Sequence, residues 1–120
     1  MALIPSSVRV DKPWGSFTQY VLNSQCTVKI LTCDPGQQLS LQRHCYRDEL
    51  WVSLDDGVMV DLDGRTITLD KGSEIWLPAG SVHRLSCSSR MSTAVRVLEI
   101  SFGNFDEDDI ERLEDIYERV

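Results

Sequence analysis

Apolar and polar positions alternate in short runs over most of this chain, and turn residues break each run before it reaches helix length. Thr27-Val-Lys-Ile-Leu-Thr-Cys33 is β-branched and apolar and stops at Asp34-Pro-Gly36, a turn signal. Leu39 and Leu41 alternate with Ser40 and Gln42, which predicts one apolar and one polar face on the way to His44. Residues 51–54 end at Asp55-Asp-Gly57. Residues 58–62 and 66–69 flank Asp63-Gly64, a two-residue hairpin signal. Asp70-Lys-Gly72 and Pro78-Ala-Gly80 bracket residues 75–77, and residues 82–87 and 95–102 complete the series. Short strands at this spacing, with no helix between them, predict an all-β sandwich or barrel.

At the C-terminus the period changes. Asp106 can cap a helix, with acidic residues in its first turn complementing the helix dipole. Ile110, Leu113, Ile116 and Tyr117 then share one face at helical spacing. The pattern predicts an N-terminal arm over 1–11, a barrel over 12–105 and an amphipathic helix over 106–120 packed on the barrel. The arm is the part expected to be disordered or to exchange onto a neighbour.

Composition narrows the picture. The 120 residues suit one domain with one core, and 42% hydrophobic and 26% charged residues are ordinary for a globular protein. No apolar run approaches the roughly 20 residues that span a bilayer. Met1-Ala-Leu-Ile-Pro5 lacks the basic and long apolar regions of a signal peptide, so a cytoplasmic location is expected. The net charge of −7 is concentrated after residue 105, where eight acidic residues face only Arg112 and Arg119. With no basic stripe for phosphates, nucleic acid is not an expected partner, whereas a small anion needs only local positive groups. Cys26, Cys33, Cys45 and Cys87 follow no metal or disulfide spacing and read as reduced, mostly buried thiols.

The candidate chemistry lies in two stretches. Gly36, Gln42, His44, Glu49 and Gly57 mark the first; Gly72, Pro78, Gly80 and His83 mark the second. On a strand Gln42 and His44 point together, Glu49 can return to the same cavity, and His83 follows a turn that re-aims the chain. Both histidines of the chain fall in these stretches. Two imidazoles, a carboxylate and an amide oxygen make Gln42, His44, Glu49 and His83 candidate ligands for one divalent ion, zinc first, with Mn, Fe, Co and Ni also suited. Four protein ligands leave open positions for water or substrate.

These stretches resemble the two signature motifs of the cupin superfamily, with Gln42 where the common pattern has a first histidine. Lys12-Pro-Trp-Gly-Ser16, Leu39-Ser-Leu-Gln-x-His44, Arg47-x-Glu49-x-Trp51, Pro78-Ala-Gly-x-x-His-Arg-Leu85 and the tail from Glu107 to Tyr117 resemble the type II phosphomannose isomerase domain, over about residues 12–119. In that family the domain often follows a mannose-1-phosphate guanylyltransferase, and no such domain lies within these 120 residues. The resemblance implies a cupin barrel that interconverts mannose 6-phosphate and fructose 6-phosphate through a cis-enediolate at a metal ion. Arg84 and Lys29 match family positions that could meet the phosphate or the enediolate, and Glu99 matches a candidate base. A homodimer is also implied.

Three residue departures accompany the match, and the stretch from Glu49 to Gly57 is one residue longer than the usual spacing, which suggests a bulge or a longer turn. The family typically has histidine at the positions of Tyr46 and Leu50 and a basic residue at Gln38. Tyr46 can still hydrogen-bond and so stays among the candidate catalytic residues. These changes leave open a non-catalytic cupin that binds a sugar or sugar phosphate, and another metal-cupin chemistry such as an oxygenase. Trp14, Trp51 and Trp76 read as core or pocket wall, with sugar stacking open for Trp51.

Overall fold

The computed structural model describes residues 7–118, and they form eleven strands. β1 (Val8–Lys12) and β2 (Gly15–Gln19) pair only with each other. β3 (Cys26–Cys33), β5 (Glu49–Ser53), β8 (Glu74–Leu77) and β10 (Val95–Phe102) make a sheet in the order β3-β10-β5-β8. β4 (Leu41–Arg43), β6 (Val58–Leu62), β7 (Arg65–Leu69), β9 (Val82–Ser86) and β11 (Glu111–Glu114) make a second, in the order β11-β4-β9-β6-β7. All pairings are antiparallel. The predicted all-β architecture is the one observed.

Side-chain alternation turns these sheets into a core with a polar end. Cys33, Trp51, Leu77, Val95 and Val97 from one sheet pack with Val58, Val60, Leu69, Leu85 and Cys87 from the other. Along several strands the inward row then changes from apolar to polar: Val97 to Glu99 and Ser101 on β10, Trp51 to Glu49 on β5, Leu85 to His83 on β9. The register aligns these changes, since Ser101 stands opposite Glu49 and Glu99 opposite Trp51. The turn at Asp63-Gly64 has positive φ at both residues, 47° and 85°, as a tight hairpin between β6 and β7 requires. On the outer face of the first sheet Leu50, Val52 and Ile100 form a smaller cluster with Tyr20, Val21, Trp76 and Phe102. That cover is why β5 is buried on both faces.

Two expected elements differ. Among the described residues 106–118 there is no helix; β11 pairs with β4, Arg112 opposite Gln42. A helix there would align Glu107 with Glu111, Glu111 with Asp115, and Glu114 with Glu118, each a repulsive i, i+4 pair. The strand avoids this and satisfies the backbone groups along the free edge of β4. Residues 119–120 of the expected helix lie outside the described residues. At the other end, residues 8–12 belong to a hairpin within this chain rather than to a disordered arm, and residues 1–6 lie outside the described part. No helix among the described residues is long and apolar enough to cross a membrane.

Leu85 is fully buried in the main core. Leu85→Ala is expected to lower the unfolding free energy by about 3 kcal/mol in urea denaturation, against less than about 1 kcal/mol for Ile116→Ala at a half-exposed position.

Candidate metal centre

The polar end of the barrel is built around a buried carboxylate. Glu49 is only 1% exposed and begins β5. Its Oε2 accepts from Arg47 Nε at 2.9 Å and Ser101 Oγ at 3.2 Å, and its Oε1 accepts from Trp51 Nε1 at 3.3 Å. Arg47 and Trp51 stand two residues either side of Glu49, so near-extended backbone brings all three to one side.

The two histidines reach this carboxylate from the opposite sheet. His83 Nε2 lies 3.8 Å from Glu49 Oε1, and His44 Nε2 lies 3.9 Å from Glu49 Oε2. One donor atom from each of the three residues falls within 4.8 Å of the others. Donors held at about 2.1 Å from one ion stand about 3–4 Å apart, according to the angle between them. Gln42 is the direct cross-strand partner of His83 and lines the same cavity. The sequence-predicted quartet thus converges.

Both imidazoles suit an ion. Asp109 O accepts a hydrogen bond from His44 Nδ1 at 2.7 Å, which leaves Nε2 as the ring atom with a free lone pair. Arg47 Nη2 lies 3.3 Å from that Nε2, so the guanidinium and an ion would compete for one lone pair. His83 is buried, and neither of its ring nitrogens has a partner at good hydrogen-bond geometry, with a backbone contact to Ser81 favouring its charged form. Burial is the main cause that pushes its pKa down to about 4; Glu49 opposes the shift and His44 adds to it. A buried neutral imidazole with two orphaned nitrogens is costly, and metal ligation relieves that cost. The donor set therefore fits a divalent ion.

Local backbone explains the placement. Gln38 bridges Ser86 whereas Gln42 pairs with His83, so four steps on one side match three on the other. That extra residue is a bulge, and it reverses the facing between 39 and 42. Leu39, expected to face away, lines the cavity beside Gln42 and His44, while Leu41 faces outward toward Arg84 and Glu114. At the other motif, Gly80 has φ of 86° and donates its N–H to His44 O at 2.7 Å. The turn before His83 is thereby tied to the end of β4.

Of the candidate catalytic residues, Lys29 and Glu99 line the cavity and stand opposite each other on β3 and β10. Glu99 is buried, and its pKa is pushed up to about 7, first by burial and then by Glu49, with Lys29 and Arg47 opposing. Arg84 and Tyr46 are not brought to the cavity. Arg84 follows His83 on the strand, so it points to the other face, where Nη2 lies 3.2 Å from Glu114 Oε1. Tyr46 lies beyond the end of β4 and is 88% exposed. The Asp109 carboxylate accepts from the backbone N–H groups of Cys45 and Tyr46 and turns that segment outward.

The cavity has a volume of about 120 Å³. Phe105, Glu107 and Ile110 close it on the side of the C-terminal segment. Arg47 and Phe105 were not singled out from the sequence. The spacing of Arg47, Glu49 and Trp51 at i, i+2 and i+4 is a readable signal for the first, and nothing local marks the second.

Comparison with known proteins follows this geometry. The family model described as mannose-6-phosphate isomerase C-terminal matches residues 4–115. The chain belongs to this family. It is 37% identical over 112 residues to the alginate biosynthesis protein AlgA of Pseudomonas aeruginosa, a match covering 92% of this chain and 23% of AlgA. It is 32% identical over 112 residues to the mannose-1-phosphate guanylyltransferase ManC of Salmonella typhimurium, again covering 92% and 23%. The chain thus spans less than a quarter of the length of these relatives. Among solved structures, the capsular polysaccharide assembling protein CapF of Staphylococcus aureus superposes with a TM-score of 0.65 at 16% identity, covering 91% of this chain and 34% of CapF. A cupin-like protein of Thermotoga maritima gives 0.62 at 17%, covering 78% and 68%. These neighbours show the cupin fold.

Within this mannose-6-phosphate isomerase C-terminal domain, the three sequence departures fall outside the cavity. Leu50 belongs to the outer cluster, Tyr46 is exposed, and Gln38 lines a separate groove with Thr32, Cys33 and Tyr117. None of them removes a group from the polar end of the barrel.

The shifted groups predict opposing pH effects in the metal-free domain. Glu99 has a folded pKa of about 7 against 4.5 ordinarily, so its contribution is full below pH 4.5 and is lost as pH rises to 7. His83, at about 4 against 6.5, contributes fully above pH 6.5 and loses that as pH falls toward 4. Glu99→Gln is expected to gain roughly 2–3 kcal/mol relative to the parent between pH 4.5 and 7, measured by denaturant unfolding at each pH. Parallel profiles would show that burial does not hold Glu99 protonated.

Proposed function

We propose that this domain is a metal-dependent sugar-phosphate isomerase that interconverts mannose 6-phosphate and fructose 6-phosphate. The observation that carries the reading is the convergence of His44, Glu49 and His83, beside a cavity that both histidines line together with Glu99 and Lys29. Gln42, His44, Glu49 and His83 would hold the ion, with zinc the first choice. When bound, a divalent ion supplies Lewis acidity that favours enolisation next to a sugar carbonyl.

The chain's own groups do the rest. Glu99, a buried carboxyl on the cavity wall, can both take and return a proton, as transfer between C1 and C2 requires. Lys29 brings positive charge to the same wall and meets the anionic end of the substrate. Arg47 orients Glu49, and Trp51 both donates to Glu49 and packs edge-on against His83, with ring centroids 5.5 Å apart. Arg84 and Tyr46 take no part in this reading. A cytoplasmic homodimer is the setting it expects.

The small volume of the cavity, about 120 Å³, favours a second reading, a non-catalytic cupin that binds a sugar phosphate through the retained ion. A coupled assay with mannose 6-phosphate and added Zn, Mn, Co or Fe, beside elemental analysis, separates the two. Turnover is expected to need the ion and to be abolished with metal content in Glu49→Ala and His83→Ala. Glu99→Gln is expected to retain the ion and lose about 10²–10⁴-fold in kcat. Stoichiometric metal with no turnover for any ion would replace the isomerase reading with the second.

A further inference from the structure

The cavity is walled on one side by a part of the chain that carries its own anion. Residues 105–110 lie across it, contributing Phe105, Glu107 and Ile110 to its lining. Phe105 is held by two cations, with Lys29 Nζ 4.1 Å and Arg47 Cζ 4.3 Å from its ring centroid. Arg47 Nη1 also donates to Asp106 O at 3.1 Å and Asp109 O at 3.3 Å. The Glu107 carboxylate accepts from Lys29 Nζ at 3.1 Å.

The cations differ in freedom. Arg47 is buried, and its guanidinium is engaged with Glu49, His44 and two carbonyls of the segment. Lys29 has Glu107 as its ion-pair partner, and the Glu107 side chain is 79% exposed. An exposed ion pair of this kind is weak and easily exchanged. At about 120 Å³ the cavity is also smaller than the roughly 300–1,000 Å³ of ordinary small-molecule pockets, so an entering ligand must displace part of its lining.

We infer that Lys29 is an anion subsite for a phosphate monoester, that Glu107 is its internal stand-in, and that the incoming phosphate releases residues 105–108 from the cavity mouth. A phosphate monoester carries about −1.5 to −2 charges against −1 for Glu107, and the nearby Arg47 charge favours the dianion further. Releasing Glu107 loosens the cation contacts of Phe105 and enlarges the cavity beside Glu99 and His83. The segment's Asp109 carbonyl also fixes the His44 ring, so a released segment stays tethered through the Asp109 contacts. The identity of the ligand rests on the sugar-phosphate reading above; the exchange of Glu107 for phosphate does not need turnover.

Calorimetric titration of the full chain with inorganic phosphate, metal-free and metal-loaded, tests this directly. Glu107→Gln is expected to bind phosphate about fivefold tighter than the parent. Lys29→Met is expected to bind it at least about tenfold more weakly, and Lys29→Met with Glu107→Gln to regain nothing. Hydrogen exchange at residues 105–108 is expected to quicken when phosphate is added to the parent. Equal phosphate affinity in Glu107→Gln and parent, undiminished binding in Lys29→Met, or unchanged exchange overturns the inference. Phosphate binding as described without turnover of mannose 6-phosphate leaves the subsite standing and sinks the isomerase reading; turnover with unaltered phosphate affinity in Glu107→Gln does the reverse.

Discussion

The buried carboxylate of Glu49 is the constraint around which the polar end of this barrel is arranged. An ionised carboxylate removed from water must be compensated by charge and hydrogen bonds, or it destabilises the fold. Here the compensation comes from Arg47, Trp51 and Ser101. Arg47 in turn ties down the C-terminal segment, and the space left over Glu49 is shared by His44 and His83. The same carboxylate helps push up the pKa of Glu99, so the two carboxyl groups are electrostatically linked. A divalent ion beside Glu49 would favour ionised Glu99 and oppose that shift.

The second consequence concerns residues 105–118. They form neither a separate element nor a passive tail. β11 completes one sheet by pairing with β4, the strand that carries Gln42, and the stretch before it orients His44 and covers the cavity. The acidic residues of this segment have specific partners: Glu107 on Lys29, Glu111 on Arg43, Glu114 on Arg84, Asp109 on two backbone N–H groups. What composition presents as an acidic surface is in large part a set of local charge matches to the barrel. Arg84 is the clearest case, since its side chain reaches from β9 across β4 to Glu114 on β11 rather than into the cavity.

The placement of the three departures alters the weight of the family resemblance. Histidine to leucine at 50 removes a polar group in composition, but Leu50 sits in the cluster outside the first sheet. Tyr46 and Gln38 likewise lie away from Glu49. The groups that face the cavity are the ones the motifs carry, together with Lys29 and Glu99.

Strand positions, the Asp63-Gly64 hairpin and the Gln42, His44, Glu49 and His83 set were legible because each depends on local rules: alternation on a strand, positive φ at glycine, and ligand types at motif spacing. Side-chain direction at Leu39 was not, because a bulge set by pairing with β9 reverses the facing there. Nor was the C-terminal strand, because apolar period cannot register that β4 offers an open edge while like charges disfavour a helix. The roles of Arg47, Phe105 and Glu107 arise only when residues nearly sixty or eighty positions apart meet across the cavity mouth. The sequence by itself determined which groups could bind an ion and the class of fold that presents them. The tertiary structure alone decided which of the charged residues face that site, because burial and register, not residue type, select the face a side chain occupies.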